Sequence, residues 1–287
     1  MNQSITLPEN ASSASRLRAD LALMLAQACP TTLANEIALV GSTARGFADD
    51  ESDLELNLWS NAIPPQVERV GWLHAAGADE IVVEEKPRLD NSHWITCRVG
   101  DIPVEIGWQT FRALRTSLDR IRSGAVIDRK TLAFGDIIVS AIPLRTSGQL
   151  QNWQAALDDY SDELQQSLIN AALKRWLQPD HVASERRLAR RGERLALMES
   201  LLDDLDAAVR VLYAANRRWE PSRKWTLTVA QAFAPDDLIP RIDAILSDKS
   251  LEQRVDCCVR LCLEVLELVP EGYDVSGTVE ALQAGLK

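Results

Sequence analysis

Two segments near the start of the chain alternate between apolar and polar positions and predict neighbouring strands. The first segment, Ile37–Val40, is apolar and runs into Gly41-Ser42. In the second segment leucines occupy every other position: Leu54, Leu56 and Leu58. Polar residues occupy the positions that alternate with them: Asp53, Glu55 and Asn57. Because successive side chains of a strand point to opposite faces, two carboxylates are expected to project the same way from one rigid element.

The flanking segments predict the rest of a mixed sheet and the helices that cover it. Amphipathic spacing and proline or glycine boundaries predict helices over 11–28, from Pro64 to Gly77, and over 111–123. Alternation predicts further strands over 79–86, 92–98 and 102–108. In the last of these strands Glu105 lies on the face opposite three apolar residues, Ile102, Val104 and Ile106. Glu105 is therefore either a third carboxylate of a site or a lone polar residue on a half-exposed strand.

The spacing of apolar residues changes after Thr146, where a helical period replaces the strand period. The pattern predicts helices over 149–176, 182–216, 236–246 and 250–268, and the apolar segment 130–144 is interpreted as a buried connection. We therefore predict an α+β protein. Residues 1–145 would form a catalytic domain with a mixed sheet and helices on one face, and residues 146–287 an all-helical substrate-binding domain.

The segment 182–216 has the clearest helical period of the chain. Its predicted buried stripe consists of Leu188, Leu195, Met198, Leu202, Leu205, Val209 and Leu212. Arginines crowd its first half: Arg186, Arg187, Arg190, Arg191 and Arg194. Such a run is usually a solvated helix face paired with neighbouring glutamates. The alternative is that Arg187, Arg191 and Arg194, which share one face, bind a phosphate or an acidic partner.

Composition limits the classes of function that remain. The chain has 287 residues, of which 46% are hydrophobic, and this is enough for two folded domains. A net charge of −11 makes a general nucleic-acid-binding role unlikely on electrostatic grounds. Five cysteines without paired Cys-x2-Cys spacing indicate a reducing compartment, and three of them, Cys257, Cys258 and Cys262, are interpreted as buried helix residues rather than zinc ligands. No membrane segment or leader is expected, so a cytoplasmic location is predicted.

The strand with Asp53 and Glu55 combines with the turn before it into one motif. Carboxylates two residues apart on a strand can hold Mg²⁺ ions that also bind substrate phosphates. Gly41 allows the backbone to approach a phosphate closely, and Ser42 offers a hydroxyl and an N–H group. Each part alone is also common as ordinary structure, but the order Gly41-Ser42-x3-Gly46-x6-Asp53-x-Glu55 favours a functional interpretation.

This motif resembles the signature of the nucleotidyltransferase superfamily that includes DNA polymerase β. The resemblance implies Mg²⁺ as the cofactor and ATP, or another nucleoside triphosphate, as the co-substrate. Asp53 and Glu55 would bind the metal that holds the triphosphate. Glu105 would either complete a second metal site or remove a proton from the attacking hydroxyl. Gly41, Ser42 and Arg45, which lies in the loop between the two strands, are the nucleotide-binding candidates.

A catalytic domain followed by a helical domain is similar in layout to the antibiotic nucleotidyltransferases, which modify a hydroxyl of an aminoglycoside or lincosamide. In that family a lysine after the long bundle helix reaches the triphosphate, and Lys224 is the nearest candidate here. Glu55 stands where many members have Asp. The acidic surface slightly favours a cationic small-molecule acceptor. The alternatives are a nucleotidyltransferase that modifies a protein or a tRNA, as antitoxin-like relatives do, and a regulatory nucleotide-binding module without turnover.

Lys224 lies in a basic and aromatic junction, residues 216–225, which includes Trp219 and Trp225. Tryptophans beside cations can form cation–π contacts or stack on a base. The nucleotide base is therefore expected near this junction and the triphosphate near Ser42.

Replacing Lys224 with alanine is expected to weaken the binding of a nucleoside triphosphate more than that of the nucleoside, because only the triphosphate carries the charge that the ammonium would contact. Isothermal titration with both ligands measures the difference. Equal losses for the two ligands would contradict a phosphate role for Lys224.

Overall fold

The strands of the chain assemble into one mixed sheet in the computed structural model, which describes residues 5–88, 91–247 and 249–286. The strands are β1 Glu36–Val40, β2 Leu54–Ser60, β3 Ala78–Val83, β4 His93–Val99, β5 Ile102–Thr110 and β6 Ile142–Arg145. Their order across the sheet is β3-β4-β5-β2-β1-β6. The β2–β5 pair is parallel and the other pairs are antiparallel. The predicted α+β class with a mixed sheet is thereby confirmed.

One face of the sheet packs against helices from the first part of the chain. The helices in the first part of the chain are α1 Ser13–Ala28, α2 Gly41–Ala44, α3 Gln66–Ala75, α4 Phe111–Arg122, α5 Arg129–Ser140 and α6 Gln149–Asp158. Leu54, Leu56 and Leu58 of β2 are fully buried and belong to one apolar core with residues of α1 and α3. The predicted alternation of β2 is therefore correct, and its odd-numbered side chains lie on the other face.

The strand β6 is absent from the sequence-based interpretation, which treated 130–144 as a buried connection. Helix α5 and strand β6 occupy this segment instead, and β6 pairs with β1 at the edge of the sheet. Pro143 explains the omission, because proline cannot donate a ladder hydrogen bond and is tolerated mainly on edge strands.

The chain packs into two compact units whose bounds differ from the predicted division at residue 145. One unit contains the residues up to Arg120 together with Phe134–Asp159, and the other contains Ile121–Ala133 together with the residues from Tyr160 onward. In the first unit Trp153 of α6 packs against Trp59 with ring centroids 5.4 Å apart. In the second unit Arg129 pairs with Asp206 at 2.5 Å and with the buried Glu220 at 3.1 Å. The assignment of catalytic and substrate-binding roles to the two units stays a prediction.

From Tyr160 onward the second unit consists of helices and their connections. Its remaining helices are α7 Asp162–Trp176, α8 His181–Arg191, α9 Arg194–Ala215, α10 Thr226–Ala230, α11 Leu238–Leu246, α12 Leu251–Leu266 and α13 Ser276–Gly285. No strand follows Arg145 in the described part of the chain, as predicted from the change of period. None of the helices in the described ranges combines the length and apolar character needed to cross a bilayer.

The prediction of one long helix over 182–216 is wrong. Helices α8 and α9 are separated at Gly192, whose φ of 73° is in the left-handed region that ends helices. The predicted stripe is buried at Leu205, Val209 and Leu212, whereas Leu195 is 77% exposed and Leu202 is 45% exposed. The face that is buried instead includes Leu197 and Leu201. The predicted helix over 149–176 is likewise two helices, because Ser161 caps a new one, α7.

A buried carboxylate joins the edge of the sheet to α6. Glu36 of β1 is fully buried, and its Oε1 accepts hydrogen bonds from the N–H groups of Ser147 at 2.6 Å and Gln149 at 3.2 Å. Burial alone would raise the pKa of Glu36, but the hydrogen bonds led by those from Ser147 outweigh it and lower the pKa below the ordinary 4.5. The charge also lies favourably at the start of a helix.

Replacing Glu36 with glutamine is expected to lower the free energy of unfolding by about 2 kcal/mol at pH 7, since a charged acceptor of several N–H groups is lost. The folded-state pKa is depressed, so this contribution is present above pH 4.5 and disappears as the pH falls through the folded pKa. Urea unfolding at pH 7 and at pH 3.5–4 measures both effects. The exposed Glu85, replaced in the same way, is the control. A difference between wild type and Glu36→Gln that stays constant over this range would contradict the assignment.

Candidate active site

Three carboxylates converge on the face of the sheet opposite the apolar core. Oxygen atoms of Asp53, Glu55 and Glu105 lie within 4.8 Å of one another, and all three side chains are half-buried. Glu55 and Glu105 are directly paired in the parallel β2–β5 ladder, and Asp53 immediately precedes β2. The structure therefore brings together the three residues that the sequence places on polar faces. Their chemical roles stay predictions.

The loop before Asp53 is anchored to helix α1 by polar contacts. Arg18, which is only 4% exposed, donates from Nε to the carbonyl oxygen of Ser52 at 2.8 Å and from Nη2 to that of Asp50 at 3.2 Å. Ser15 accepts a hydrogen bond from the Ala48 N–H at 3.0 Å. These contacts fix the loop backbone that leads to Asp53, immediately before β2. The amphipathic pattern of α1 predicts only that the helix covers the sheet and does not report these contacts.

The Gly41 turn holds the carboxylate of Glu55 against the backbone. Gly41 begins the single-turn helix α2 with a φ of +69°, and a Cβ atom placed on it would lie 1.6 Å from Oε2 of Glu55. A side chain at position 41 would therefore occupy the place of the carboxylate. The glycine is required here both by the backbone conformation and by this close approach.

The nucleotide-binding candidates next to this turn are partly engaged within the chain. The hydroxyl of Ser42 is buried and has no hydrogen-bond partner among the described residues. Arg45 forms an ion pair with Asp136 of α5, which is 7% exposed. Burial raises the pKa of Asp136, and the Arg45 guanidinium partly opposes that rise. Asp136 was not among the predicted site residues, because its position on α5 gave no sign of contact with the loop.

The three carboxylates fit a hard divalent cation. Like charges directly opposite each other on paired strands repel, and this repulsion is relieved when a cation lies between the oxygens. The donors are all carboxylate oxygens and are half-buried, which leaves room for water and phosphate oxygens as further ligands. Asp53, Glu55 and Glu105 would thus hold Mg²⁺ in preference to an ion that requires nitrogen or sulfur donors.

Lys224 and the tryptophans of the 216–225 junction belong to the second unit. Lys224 is exposed, with Nζ 5.9 Å from the centroid of the Trp225 ring, so one of the expected cation–π contacts is present. Trp219 is 7% exposed and packs against Tyr160 with ring centroids 5.0 Å apart. A side chain buried in this way does not offer its face to a base, so the expected stacking is not supported at Trp219.

The arginine-rich face of α8 divides into one internal and several exposed side chains. Arg186 donates to Asp256 at 2.6 Å and to the carbonyl oxygen of Gly285 at 2.7 Å. The others are exposed: Arg187, Arg190 and Arg191 of α8, and Arg194, which begins α9 beyond the break at Gly192. This distribution agrees with a solvated helix face, and the phosphate-binding alternative stays a prediction.

Comparison with known proteins identifies similarity in part of the chain. A family model described as "Domain of unknown function (DUF4037)" matches residues 136–226. No curated protein matches the chain significantly. Among solved structures the chain is similar to that of a nucleotidyltransferase-like protein from Exiguobacterium sibiricum 255-15, with 14% identity and a TM-score of 0.42, over 86% of this chain and 72% of that one. Similarity at this level assigns no activity to the chain.

Replacing Gly41 with alanine is expected to displace the Glu55 carboxylate and weaken the binding of Mn²⁺, used as a spectroscopic substitute for Mg²⁺, by about tenfold or more. Electron paramagnetic resonance of free Mn²⁺ measures the affinity. The control is Gly77→Ala, because Gly77 has a φ of +82° and open space where the Cβ would lie. Both variants should lose about 1 kcal/mol of stability from backbone strain, but only Gly41→Ala should lose metal affinity. Equal Mn²⁺ affinity in the two variants would contradict the positioning role of Gly41.

Proposed function

We propose that the protein is a metal-dependent nucleotidyltransferase that transfers a nucleoside monophosphate from ATP, or another nucleoside triphosphate, to a hydroxyl group. The observation that carries the proposal is the convergence of Asp53, Glu55 and Glu105 to within 4.8 Å beside the Gly41 turn. Three converging carboxylates that can share divalent metal support metal-assisted phosphoryl transfer.

In the proposed reaction the acceptor hydroxyl oxygen attacks the α-phosphorus, the α–β phosphoanhydride bond breaks, and pyrophosphate leaves. Bound Mg²⁺ supplies neutralisation of the charge on the phosphate oxygens. Asp53 and Glu55 are its proposed ligands. The Glu105 carboxylate either joins them or accepts the proton of the attacking hydroxyl. The ladder between β2 and β5 keeps Glu55 and Glu105 at a fixed separation, so little reorganisation is required when substrate binds.

The phosphate contacts are assigned to the turn that follows β1. The unpartnered Ser42 hydroxyl is the proposed donor for a phosphate oxygen, whereas the close approach at Gly41 is taken by the Glu55 carboxylate. Arg45 can take part only by sharing its guanidinium between Asp136 and the nucleotide, since the ion pair already occupies part of it. We therefore propose that Arg45 contributes less to phosphate binding than an arginine without an ion pair would.

The acceptor proposed first is a small cationic molecule with hydroxyl groups, of the kind that aminoglycoside antibiotics represent. The net charge of −11 favours such an acceptor over a polyanion. A screen of labelled triphosphates with small-molecule, protein and tRNA acceptors distinguishes this role from modification of a macromolecule. A regulatory module without turnover would bind nucleotide in the same screen and label no acceptor.

Removing the carboxylates is expected to disable the site non-additively, because residues that share metal act as one unit. Asp53→Asn, Glu105→Gln and the double variant should each have turnover near background. Without Mg²⁺ each should keep its stability or gain about 1 kcal/mol as repulsion is relieved, and each should show a smaller shift of Tm on addition of Mg²⁺. Turnover of ATP and melting curves with and without Mg²⁺ measure these effects.

The matched controls are Asp79→Asn and Glu80→Gln, two exposed acidic residues of strand β3. They should leave turnover and the Mg²⁺ shift unchanged. Wild-type turnover in either single variant of the site would refute the assignment at that position. Wild-type turnover in both would remove the case for nucleotidyl transfer at this site.

A further inference from the structure

The helical unit contains a second cluster of potential metal ligands, separate from the carboxylates of the sheet. His181 and Glu185 lie four residues apart on α8, so they share one helix face. Asp204 of α9 completes the cluster, and one ligand atom from each of the three residues lies within 4.8 Å of the other two. Sequence spacing does not predict this group, because its histidine and its aspartate are on different helices.

The two carboxylates of the cluster are buried, His181 is half-buried, and hydrogen bonds orient the group. Glu185 is 2% exposed and Asp204 is 3% exposed. Nε2 of His181 lies 2.9 Å from Oδ2 of Asp204, and Nε of Arg175 donates to Oδ1 of Asp204 at 2.6 Å. Oε1 of Glu185 accepts a hydrogen bond from the hydroxyl of Ser200 at 2.7 Å. Three of the four carboxylate oxygens are thus held in fixed directions.

The fourth oxygen, Oε2 of Glu185, is buried and has no hydrogen-bond partner among the described residues. Burial, together with the negative charge of Asp204, raises the pKa of Glu185 to about 7. Two carboxyl groups that face each other are both acceptors unless one is protonated, so either a proton or a cation must lie between them. An unsatisfied buried acceptor is costly and is normally explained by a missing partner.

We propose that His181, Glu185 and Asp204 form a binding site for one divalent first-row transition ion, for which Zn²⁺ is the best match. An imidazole nitrogen with two carboxylate oxygens is a donor set that Zn²⁺ accepts at short distances, whereas Mg²⁺ prefers oxygen donors alone. Arg175 and Ser200 supply the outer contacts that orient the two carboxylate ligands.

The burial of both carboxylate ligands points to a structural role for the ion. It would link α8 to α9 across the break at Gly192, where the backbone connection is not helical. Among the described residues the cysteines of α12 do not belong to the ligand group. Cys258 and Cys262 hydrogen-bond to each other instead. The proposed site is therefore distinct from the zinc cluster that cysteine spacing alone would suggest.

The test measures zinc binding in the full chain carrying Asp53→Asn and Glu105→Gln, so that the carboxylates of the sheet do not contribute. After removal of metal by a chelator, competition with a chromophoric zinc chelator gives the affinity and the stoichiometry. We expect about one tightly bound Zn²⁺ per chain and a rise of Tm on its addition. Glu185→Gln and His181→Gln should each weaken binding by more than ~100-fold, which exceeds the loss caused by removing an outer partner.

The control variants are His74→Gln and Glu199→Gln, because both residues are exposed on helices and should leave zinc affinity unchanged. Glu185→Gln keeps the shape of the side chain, and a circular dichroism spectrum checks that this variant is folded. If His181→Gln does not fold, Glu185→Gln alone decides the test. The parent protein binding no zinc at micromolar concentration would overturn the proposal. Binding by Glu185→Gln as tight as that of the parent would overturn it as well.

Discussion

The parallel pairing of β2 with β5 is the constraint on which the candidate active site depends. It places Glu55 directly beside Glu105, about 4.8 Å away across the ladder. Neighbouring carboxylates on the same face repel each other, so the sheet bears a local penalty that burial of the opposite face has to offset. Leu54, Leu56 and Leu58 provide that burial, since all three are fully enclosed. The alternation of apolar and polar residues along β2 thus produces both the buried core and the face on which the carboxylates repel each other.

The third carboxylate depends on a different kind of restraint. Asp53 lies outside the ladder, and its position follows from the loop that Arg18 and Ser15 attach to α1. A buried arginine that donates only to backbone carbonyls stabilises a loop conformation without placing a competing charge partner on the site.

Local patterns were sufficient to predict what depends on local sequence. The alternation of β2 and the polar position of Glu105 are visible in short windows, and both occupy the predicted environment. Gly41 is equally visible, but the group that approaches its backbone is the Glu55 carboxylate, and a phosphate there stays a prediction. The break at Gly192 is not predicted because the apolar spacing on its two sides looks continuous, whereas the left-handed φ of Gly192 ends α8 there. The strand β6, the pair Arg45–Asp136 and the restraint by Arg18 depend on contacts between distant residues, which periodicity does not report.

The two clusters of titratable groups differ in solvent access, which decides what kind of metal site each could form. Asp53, Glu55 and Glu105 are half-buried oxygen donors on a rigid sheet, so an ion there could exchange and share its coordination with a substrate. Glu185 and Asp204 are almost fully enclosed and have a histidine beside them, so an ion there would be shielded from any substrate. Solvent access, rather than the number of carboxylates, thus separates a site suited to turnover from one suited to holding two helices together.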